Sequence, residues 1–128
     1  MADHPARILI VDDERRNREL LEVMLAPDGF QLQSAASGEE ALAMVAAHAL
    51  DLILLDVMMP GMDGYEVTSR LKGHASTKHI PIIMITALND RDARLRGLTA
   101  GVEEFLTKPA DRAELTVRVS RRLGKRDY

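Results

Sequence analysis

The chain has 128 residues, with 20 acidic and 17 basic side chains, a formal net charge of −3 and no cysteine. One domain of this length buries roughly two thirds of the surface that its unfolded form exposes, so we expect it to fold alone. The small negative charge gives no broad field to attract nucleic acid or an anionic membrane, and without cysteine there are no disulfides or thiolate metal sites.

Five strand-like and five helix-like segments alternate along the chain, which is typical of repeated β-α units that build a parallel sheet. In chain order, strands are predicted at 7–12, 30–35, 51–56, 80–86 and 102–107, and helices at 14–25, 39–47, 63–71, 90–100 and 111–123. Ser37 should cap the second helix. The first helix should end at 27–29 and place one apolar face on the core, formed by Leu20, Leu21, Met24 and Leu25.

The strands differ in polarity, which predicts their order. The first, third and fourth are apolar at every central position, as expected of strands covered by helices on both faces. The second alternates polar and apolar residues, and the fifth carries Glu103 and Glu104, whose charge suits a sheet edge because it discourages edge-to-edge pairing. The expected fold is α/β, a flavodoxin-like doubly wound sandwich with five parallel strands in the order 2-1-3-4-5.

Polar side chains follow four of these strands at the points where they end. Asp12 and Asp13 follow the first strand, Asp56 follows the third, Thr86 ends the fourth and Lys108 follows the fifth. Because the carboxyl ends of parallel strands open on one edge of the sheet, these side chains should meet in one crevice. Such a set can hold a divalent cation and a tetrahedral anion together, which indicates phosphoryl chemistry.

The predicted metal ligands are the carboxylates of Asp12, Asp13 and Asp56, with the backbone carbonyl of Met58 as a further oxygen. Adjacent carboxylates can share Mg²⁺, one directly and one through water, and Mn²⁺ is the alternative ion. A bound cation would also relieve the repulsion among three clustered carboxylates. Any single Asp could instead cap the following helix, but the combination favours the metal site.

The remaining polar residues give weaker signals one by one. Lys108 precedes Pro109, a candidate cis-proline, so its side chain should be presented from an extended loop. Alone, Lys108 would be an ordinary surface lysine and Thr86 an ordinary strand residue. No glycine-rich phosphate loop indicates ATP binding. The histidines have no metal-ligand spacing and are predicted to lie on the surface: His4, His48, His74 and His79.

Four segments together closely resemble the receiver domain of bacterial two-component response regulators: ILIVDDE at 8–14, LDVMMPGMDG at 55–64, ITA at 85–87 and FLTKP at 105–109. The resemblance implies a single receiver domain at 1–128, with a core at about 7–123 and a frayed tail at 124–128. It implies that Asp56 accepts a phosphoryl group from the phosphohistidine of a sensor histidine kinase or histidine phosphotransfer protein. Asp13, Asp56 and the Met58 carbonyl would bind the metal, and Asp12 would act largely through water.

The resemblance also implies how phosphorylation is read out. Thr86 and the backbone amide of Ala87 would move toward the phosphoryl oxygens, and Phe105 would turn inward as the switch aromatic. Phe105 has no hydroxyl, unlike the tyrosine frequent at this position, so its switching cannot use a hydroxyl contact. Simple core packing is the alternative role for Phe105.

The output surface implied by the resemblance comprises the fourth helix, the fifth strand and the fifth helix, and it would support a homodimer. Ion pairs there could involve Arg91, Arg94, Arg96, Asp111, Arg112 and Glu114. The first helix would help to select the kinase, unless its arginines form only a solvated basic face: Arg15, Arg16 and Arg18. A basic end is predicted to be solvated: Arg121, Arg122, Lys125 and Arg126.

The segment 85–91 and the FLTKP motif look most like receivers of cyclic-di-GMP signalling regulators. Whether the chain is a natural single-domain regulator or an excised receiver stays open, with a slight preference for the former. Because the sequence has no apolar leader and no apolar run near the ~20 residues of a membrane span, we expect a cytoplasmic protein without membrane insertion or direct nucleic-acid binding.

The same fold also supports two other functions. A phosphohydrolase with an aspartyl-phosphate intermediate would need a second acid beside the nucleophile, which Asp56-Val57-Met58 lacks, and an insertion long enough for a cap domain. A phosphate-independent interaction module would keep the receiver fold. We expect the chain to be no enzyme beyond promoting its own phosphorylation and dephosphorylation.

Overall fold

The computed structural model describes residues 5–88 and 90–123, which form alternating strands and helices. The strands are β1 (Arg7–Val11), β2 (Gln31–Ala35), β3 (Leu52–Leu55), β4 (Ile82–Thr86) and β5 (Glu104–Thr107). The helices are α1 (Arg15–Leu25), α2 (Gly38–Ala47), α3 (Gly64–Lys72), α4 (Arg91–Ala100) and α5 (Arg112–Leu123), with a short 3₁₀ helix at Ala26–Asp28 after α1. The predicted tail at 124–128, with Lys125 and Arg126, lies outside the described residues.

All five strands are parallel and lie in the order β2-β1-β3-β4-β5, which confirms the predicted topology. The edge strands are β2 and β5, as their sequence polarity predicted. Strands β4 and β5 each begin two residues later than predicted. Pro81 has no amide hydrogen for the sheet ladder, and the Val102 amide donates to the Gly97 carbonyl at the end of α4.

The core has two layers, one on each face of the sheet. Because successive strand residues point to opposite faces, Leu9 and Val11 lie in the layer under α2, α3 and α4, while Ile8 and Ile10 lie in the layer under α1 and α5. The capping prediction for Ser37 is confirmed, since its hydroxyl accepts the Glu40 amide. This packed sheet holds the strand ends at fixed positions along one edge.

The predicted apolar face of α1 was wrong at one position. Leu21 and Leu25 are buried, and Met24 packs against the same layer. Leu20 is 49% exposed. Each helix residue is rotated by about 100° from the previous one, so a stripe centred on Leu21 and Leu25 leaves Leu20 at its margin.

The charges on β5 do not act as the sequence suggested. The side chain of Glu104 is only 5% exposed, and its carboxylate accepts hydrogen bonds from Arg118 and Arg122 at 2.7 Å each and from Arg121 at 3.5 Å. Glu103 accepts the Ile82 amide and pairs with Lys72. Glu104 is therefore not an exposed edge charge, and Arg121 and Arg122 are not simply solvated, because α5 packs its last turns beside the edge strand.

Glu104→Gln should destabilise the fold by about 1–3 kcal/mol at neutral pH, because it removes the carboxylate that three arginines share. The arginines are partly exposed, which keeps the loss below that of a fully buried pair. Burial raises the pKa of Glu104, but hydrogen bonds from Arg122 and Arg118 outweigh it, so the pKa is lowered overall. A lowered acid pKa adds stability that is complete above the unfolded pKa and lost as pH falls through the folded pKa.

Urea unfolding at several pH values measures both effects. The gap between wild type and Glu104→Gln should therefore be constant near neutrality and shrink only in the acid range below the ordinary glutamate pKa. Glu114→Gln is the matched control, because Glu114 pairs with Arg118 at the surface and should contribute under about 1 kcal/mol. Equal losses for the two variants would contradict a special role for Glu104.

Candidate functional site

The strand ends bring the predicted acidic residues together. Asp12 and Asp13 follow β1 and Asp56 follows β3, and one carboxylate oxygen of each lies within 4.8 Å of the others. The adjacent pairing of β1 and β3 causes this, since Val11 lies opposite Leu55 and the Asp56 amide donates to the Val11 carbonyl. The cluster forms at the edge that the sequence predicted.

Asp12 and Asp13 have different environments although they are neighbours. Asp12 is buried, and its Oδ1 accepts the Glu14 amide at 2.9 Å while its Oδ2 accepts the Lys108 ammonium at 2.8 Å. Asp13 is exposed. The N-cap residue of α1 is Glu14, which makes no side-chain capping bond, so neither aspartate serves merely as the cap of this helix.

Lys108 joins the two buried carboxylates. Its Nζ lies 2.8 Å from Asp12 Oδ2 and 3.1 Å from Asp56 Oδ2, and its amide donates to the Thr86 carbonyl. The following peptide bond to Pro109 is cis. The surface-lysine alternative is therefore wrong, because Lys108 is largely buried and points into the cluster from the end of β5.

These contacts shift two pKa values. Burial raises the pKa of Asp56, and the hydrogen bond from Lys108 opposes this without cancelling it, while the charge of Asp12 adds to the rise. Burial lowers the pKa of Lys108, but hydrogen bonds to Asp12 and Asp56 outweigh it, so the pKa is raised overall. Lys108 thus stays a cation beside a carboxylate that is destabilised by its own burial.

Thr86 and Ala87 complete the crevice from the end of β4. Thr86 is fully buried, its hydroxyl accepts the Leu88 amide at 3.3 Å, and the same hydroxyl lowers the pKa of Asp56 by hydrogen bonding. Ala87 is exposed and follows Thr86 directly. The hydroxyl that the sequence predicted near Asp56 is therefore present at the cluster.

Phe105 is buried with the layer under α4. A Cβ on Gly97 would lie 3.2 Å from the Phe105 ring and 3.3 Å from Met84 Sδ, so the glycine provides the room that the ring occupies. The Arg94 guanidinium lies 5.5 Å from the ring centre. Phe105 therefore packs inward against α4, and sequence periodicity did not identify Gly97 as its neighbour.

The loop after Asp56 borders an open depression of about 500 Å³ beside the cluster. Met58 is 60% exposed there, whereas Met59 is buried. Tyr65 forms one wall, donating to the Ala93 carbonyl and lying under the Arg96 guanidinium. Met58 and Leu88 both line the depression.

Three residues at the site were missed by sequence reasoning. Arg18 donates to the Asp12 carbonyl at 2.7 Å, and Asn17 contacts Asp12 Oδ1 at 3.5 Å. Gly64 packs so closely that a Cβ there would overlap the Asp56 carbonyl oxygen. The glycine after Asp63 was the available signal, since a backbone that must approach another backbone this closely requires glycine.

The residues fit a hard divalent cation. All three clustered side chains offer carboxylate oxygens, the ligands that Mg²⁺ prefers, and one of them, Asp13, faces solvent where bound waters could complete an octahedron. Asp12 Oδ2 is already engaged by Lys108, which suits an indirect role for this residue. His48, His74 and His79 are exposed, and His4 lies outside the described residues.

Comparison with known proteins agrees with the geometry. The response regulator receiver domain family matches residues 8–120. Response regulator PleD of Caulobacter vibrioides is 50% identical over 114 residues, which cover 89% of this chain and 25% of PleD. The chain spans from 25% to 54% of the length of the curated relatives first matched.

Solved structures give the same result. The receiver domain of a signal transduction histidine kinase from Syntrophus aciditrophicus has a TM-score of 0.86 and 37% identity, covering 92% of this chain and 89% of that one. Chemotaxis protein CheY4 of Vibrio cholerae has a TM-score of 0.86 and 31% identity, covering 91% and 98%. Within residues 5–88 and 90–123, every helix is too short or too polar to cross a bilayer.

The family match over residues 8–120 and the similarity to these relatives show that the chain belongs to the receiver domain family of two-component response regulators.

Proposed function

We propose that this receiver domain takes a phosphoryl group onto Asp56 from a phosphohistidine and that phosphorylation alters its binding to another protein. The observation that carries the proposal is the joint contact of Lys108 with Asp12 and Asp56 beside the exposed Asp13. That arrangement supplies a carboxylate nucleophile, a fixed positive charge and a set of hard oxygen ligands within one crevice.

The chemistry is an in-line displacement. As the bond from an Asp56 carboxylate oxygen to phosphorus forms, the phosphorus–nitrogen bond of the donor breaks and the imidazole leaves with the bonding electrons. Lys108, which pairs with Asp56 Oδ2, and the Thr86 hydroxyl at the end of β4 would stabilise charge on the transferring oxygens. Catalysis then consists mostly of positioning and electrostatics, because these groups are already held by the strand ends.

Mg²⁺ is the proposed cofactor, with Mn²⁺ as the alternative, and when bound it would neutralise charge on the nucleophile and the phosphoryl oxygens. Asp13 and Asp56 would hold it together with the Met58 carbonyl, and Asp12 would act through water. The support is the donor set of hard oxygens and the repulsion among the three carboxylates, which a cation relieves.

Phosphorylation adds about −1.5 to −2 charges to the crevice. We propose that Thr86 and the Ala87 amide respond to this charge and that Phe105 acts as the linked switch, within a single domain whose core is about 7–123. As a signalling module the chain would carry no further enzymatic activity. Its partners would be a histidine kinase or phosphotransfer protein in the cytoplasm, with no direct nucleic-acid contact.

A homodimer through α4, β5 and α5 is supported by apolar side chains exposed on that surface: Leu95, Leu98 and Val117. At least two of the predicted ion-pairing residues are already engaged within the chain: Glu114 pairs with Arg118 at 3.1 Å. Arg112 donates to the Met24 carbonyl at 3.1 Å and lies 3.8 Å from Asp28, so it is engaged within the chain.

The test is incubation of the purified chain with a small acyl-phosphate donor, with Mg²⁺ or with a chelator, followed by intact mass spectrometry. We expect one phosphoryl group with Mg²⁺ and none with the chelator. Hydroxylamine, which cleaves acyl phosphates, should remove it. No incorporation from either the small donor or a panel of phosphorylated histidine phosphotransfer proteins would contradict the proposed function and favour a phosphate-independent interaction module.

Lys108→Met should slow phosphoryl incorporation by roughly 100-fold at saturating Mg²⁺, because a fixed charge that stabilises the transferring oxygens is lost. The same change should strengthen Mg²⁺ binding, since Asp12 and Asp56 lose their competing cation. Rates from intact mass and affinities from an NMR titration measure the two effects. Lys78→Met removes an exposed lysine and should leave both unchanged, whereas weaker Mg²⁺ binding in Lys108→Met would contradict the assigned role.

Replacing Met58 and Leu88 together with Asn and Ser should shorten the lifetime of phosphorylated Asp56 several-fold. Both side chains flank the depression beside the acceptor, and smaller polar groups would admit and orient water there. The half-life is measured by the loss of phosphoryl mass after the donor is removed. Leu98→Ser changes an exposed leucine of α4 and serves as the control. An unchanged half-life in the double variant would contradict a role for Met58 and Leu88 in limiting the access of water.

A further inference from the structure

We propose that Arg18 is a positioning residue for the phosphoryl-transfer site, which acts by fixing the peptide group between Asp12 and Asp13. This inference rests on the proposed function and adds a residue of α1 to its machinery. Arg18 touches no reacting atom. Its guanidinium donates to the Asp12 carbonyl oxygen at 2.7 Å from a half-buried position one turn into the helix.

The peptide that carries this carbonyl sets the relative orientation of two carboxylates. On its N-terminal side, the Asp12 amide donates to the Ala35 carbonyl, so the strand fixes the preceding peptide. On its C-terminal side, the Glu14 amide donates to Asp12 Oδ1, which fixes the following peptide. The peptide in between is held at its oxygen by Arg18, the sole donor to that oxygen recorded within residues 5–88 and 90–123.

Loss of the Arg18 contact should displace the carboxylate of Asp13 rather than that of Asp12. Lys108 already holds the Asp12 carboxylate. Asp13 is exposed, and its carboxylate has no hydrogen bond or ion pair recorded among the described residues, so its direction follows from the backbone. If the peptide plane rotated, Asp12 could keep its bond to Lys108 and Asp13 would swing out of reach of Asp56. Groups that orient metal ligands from behind typically change metal affinity by about 10–100-fold when removed.

The charge of Arg18 acts in the opposite direction, which makes the two roles separable. A cation near three carboxylates repels Mg²⁺. If Arg18 acted through its charge alone, its removal would therefore strengthen Mg²⁺ binding. A loss of positioning would weaken binding. Arg16 supplies the matched control, because it lies on the same helix, is exposed, and has no hydrogen bond or ion pair recorded in the described part of the chain.

The experiment compares Arg18→Met with Arg16→Met, two substitutions that remove the same charge and keep a long side chain. Mg²⁺ affinity is measured by NMR titration at fixed ionic strength, and phosphoryl incorporation from a small acyl phosphate is measured at saturating Mg²⁺. We expect Arg18→Met to bind Mg²⁺ roughly tenfold more weakly than Arg16→Met. Arg18→Lys, which keeps a donor and the charge, should restore most of the affinity.

A readout without metal tests the same contact. The Asp13 amide belongs to the peptide whose oxygen Arg18 holds, so its ¹⁵N chemical shift should change in Arg18→Met and not in Arg16→Met. If Arg18→Met fails to fold, Arg18→Gln replaces it. Equal Mg²⁺ affinity in the Arg18 and Arg16 variants would overturn the proposal. If Arg18→Met binds Mg²⁺ more weakly but the wild type takes up no phosphoryl group, the positioning role of Arg18 stands and the proposed function is overturned.

Discussion

Asp56→Asn should abolish phosphoryl incorporation while leaving the domain folded. An amide cannot attack phosphorus as a carboxylate does, and Asp56 is a buried carboxylate that pairs with Lys108 at 3.1 Å. Intact mass after incubation with an acyl phosphate and Mg²⁺ measures the effect. Asp63→Asn is the control: it changes the same group in the same loop, and Asn caps α3 about as well as Asp.

Unfolding measurements separate loss of chemistry from loss of structure. The raised pKa of Asp56 means that its ionised form costs stability at neutral pH, and that cost fades as pH falls through the folded pKa. Asp56→Asn should therefore be at least as stable as wild type at neutral pH without metal, with the difference shrinking in acid. Incorporation that persists in Asp56→Asn would place the acceptor elsewhere.

Gly64→Ala should be the most destabilising single substitution considered, with a loss of about 3 kcal/mol. The first residue of α3 packs against the backbone that carries Asp56: the Gly64 amide donates to the Val57 carbonyl at 2.9 Å, and an added Cβ would lie 2.9 Å from the Val57 Cα and overlap the Asp56 carbonyl oxygen. Backbone atoms cannot rotate away as a side chain does, so the loop or the helix must shift.

Urea unfolding and Mg²⁺ titration together measure this change, because a shifted loop moves Asp56 and Met58 as well. Gly73→Ala is the matched control at the other end of α3, where the backbone has an ordinary φ of −83° and the nearest atom to an added Cβ is 3.1 Å away. It should cost under about 1 kcal/mol. Equal losses for both glycines would mean that the loop yields easily and that the close approach has no structural role.

The fold and the location of the crevice could be predicted because both follow from local patterns. Apolar runs that end in Asp56 or Thr86 define strands and their ends at once, and parallel pairing then brings those ends to one edge. The polarity of β2 and β5 predicted the strand order, because edge strands tolerate polar residues.

Other features depend on contacts between residues far apart in the chain, which a linear pattern does not contain. Glu104 was predicted to be an edge charge, and its burial became evident only once α5 was placed beside β5. Arg18 was predicted to be a kinase-selecting or solvated residue, and its bond to the Asp12 carbonyl depends on where α1 begins. Gly97 gave no periodic signal, because the reason for glycine there is the Phe105 ring.

The two-layer core has an evolutionary consequence. The layer under α2, α3 and α4 contains Phe105 and Met84, whereas the layer under α1 and α5 contains Leu21 and Leu115, and the sheet stands between them. Stability effects of substitutions in separate layers should nearly add, because the side chains do not touch. One face can therefore diversify toward new binding partners by neutral drift while the opposite face retains its inherited specificity, with the shared strand ends left untouched.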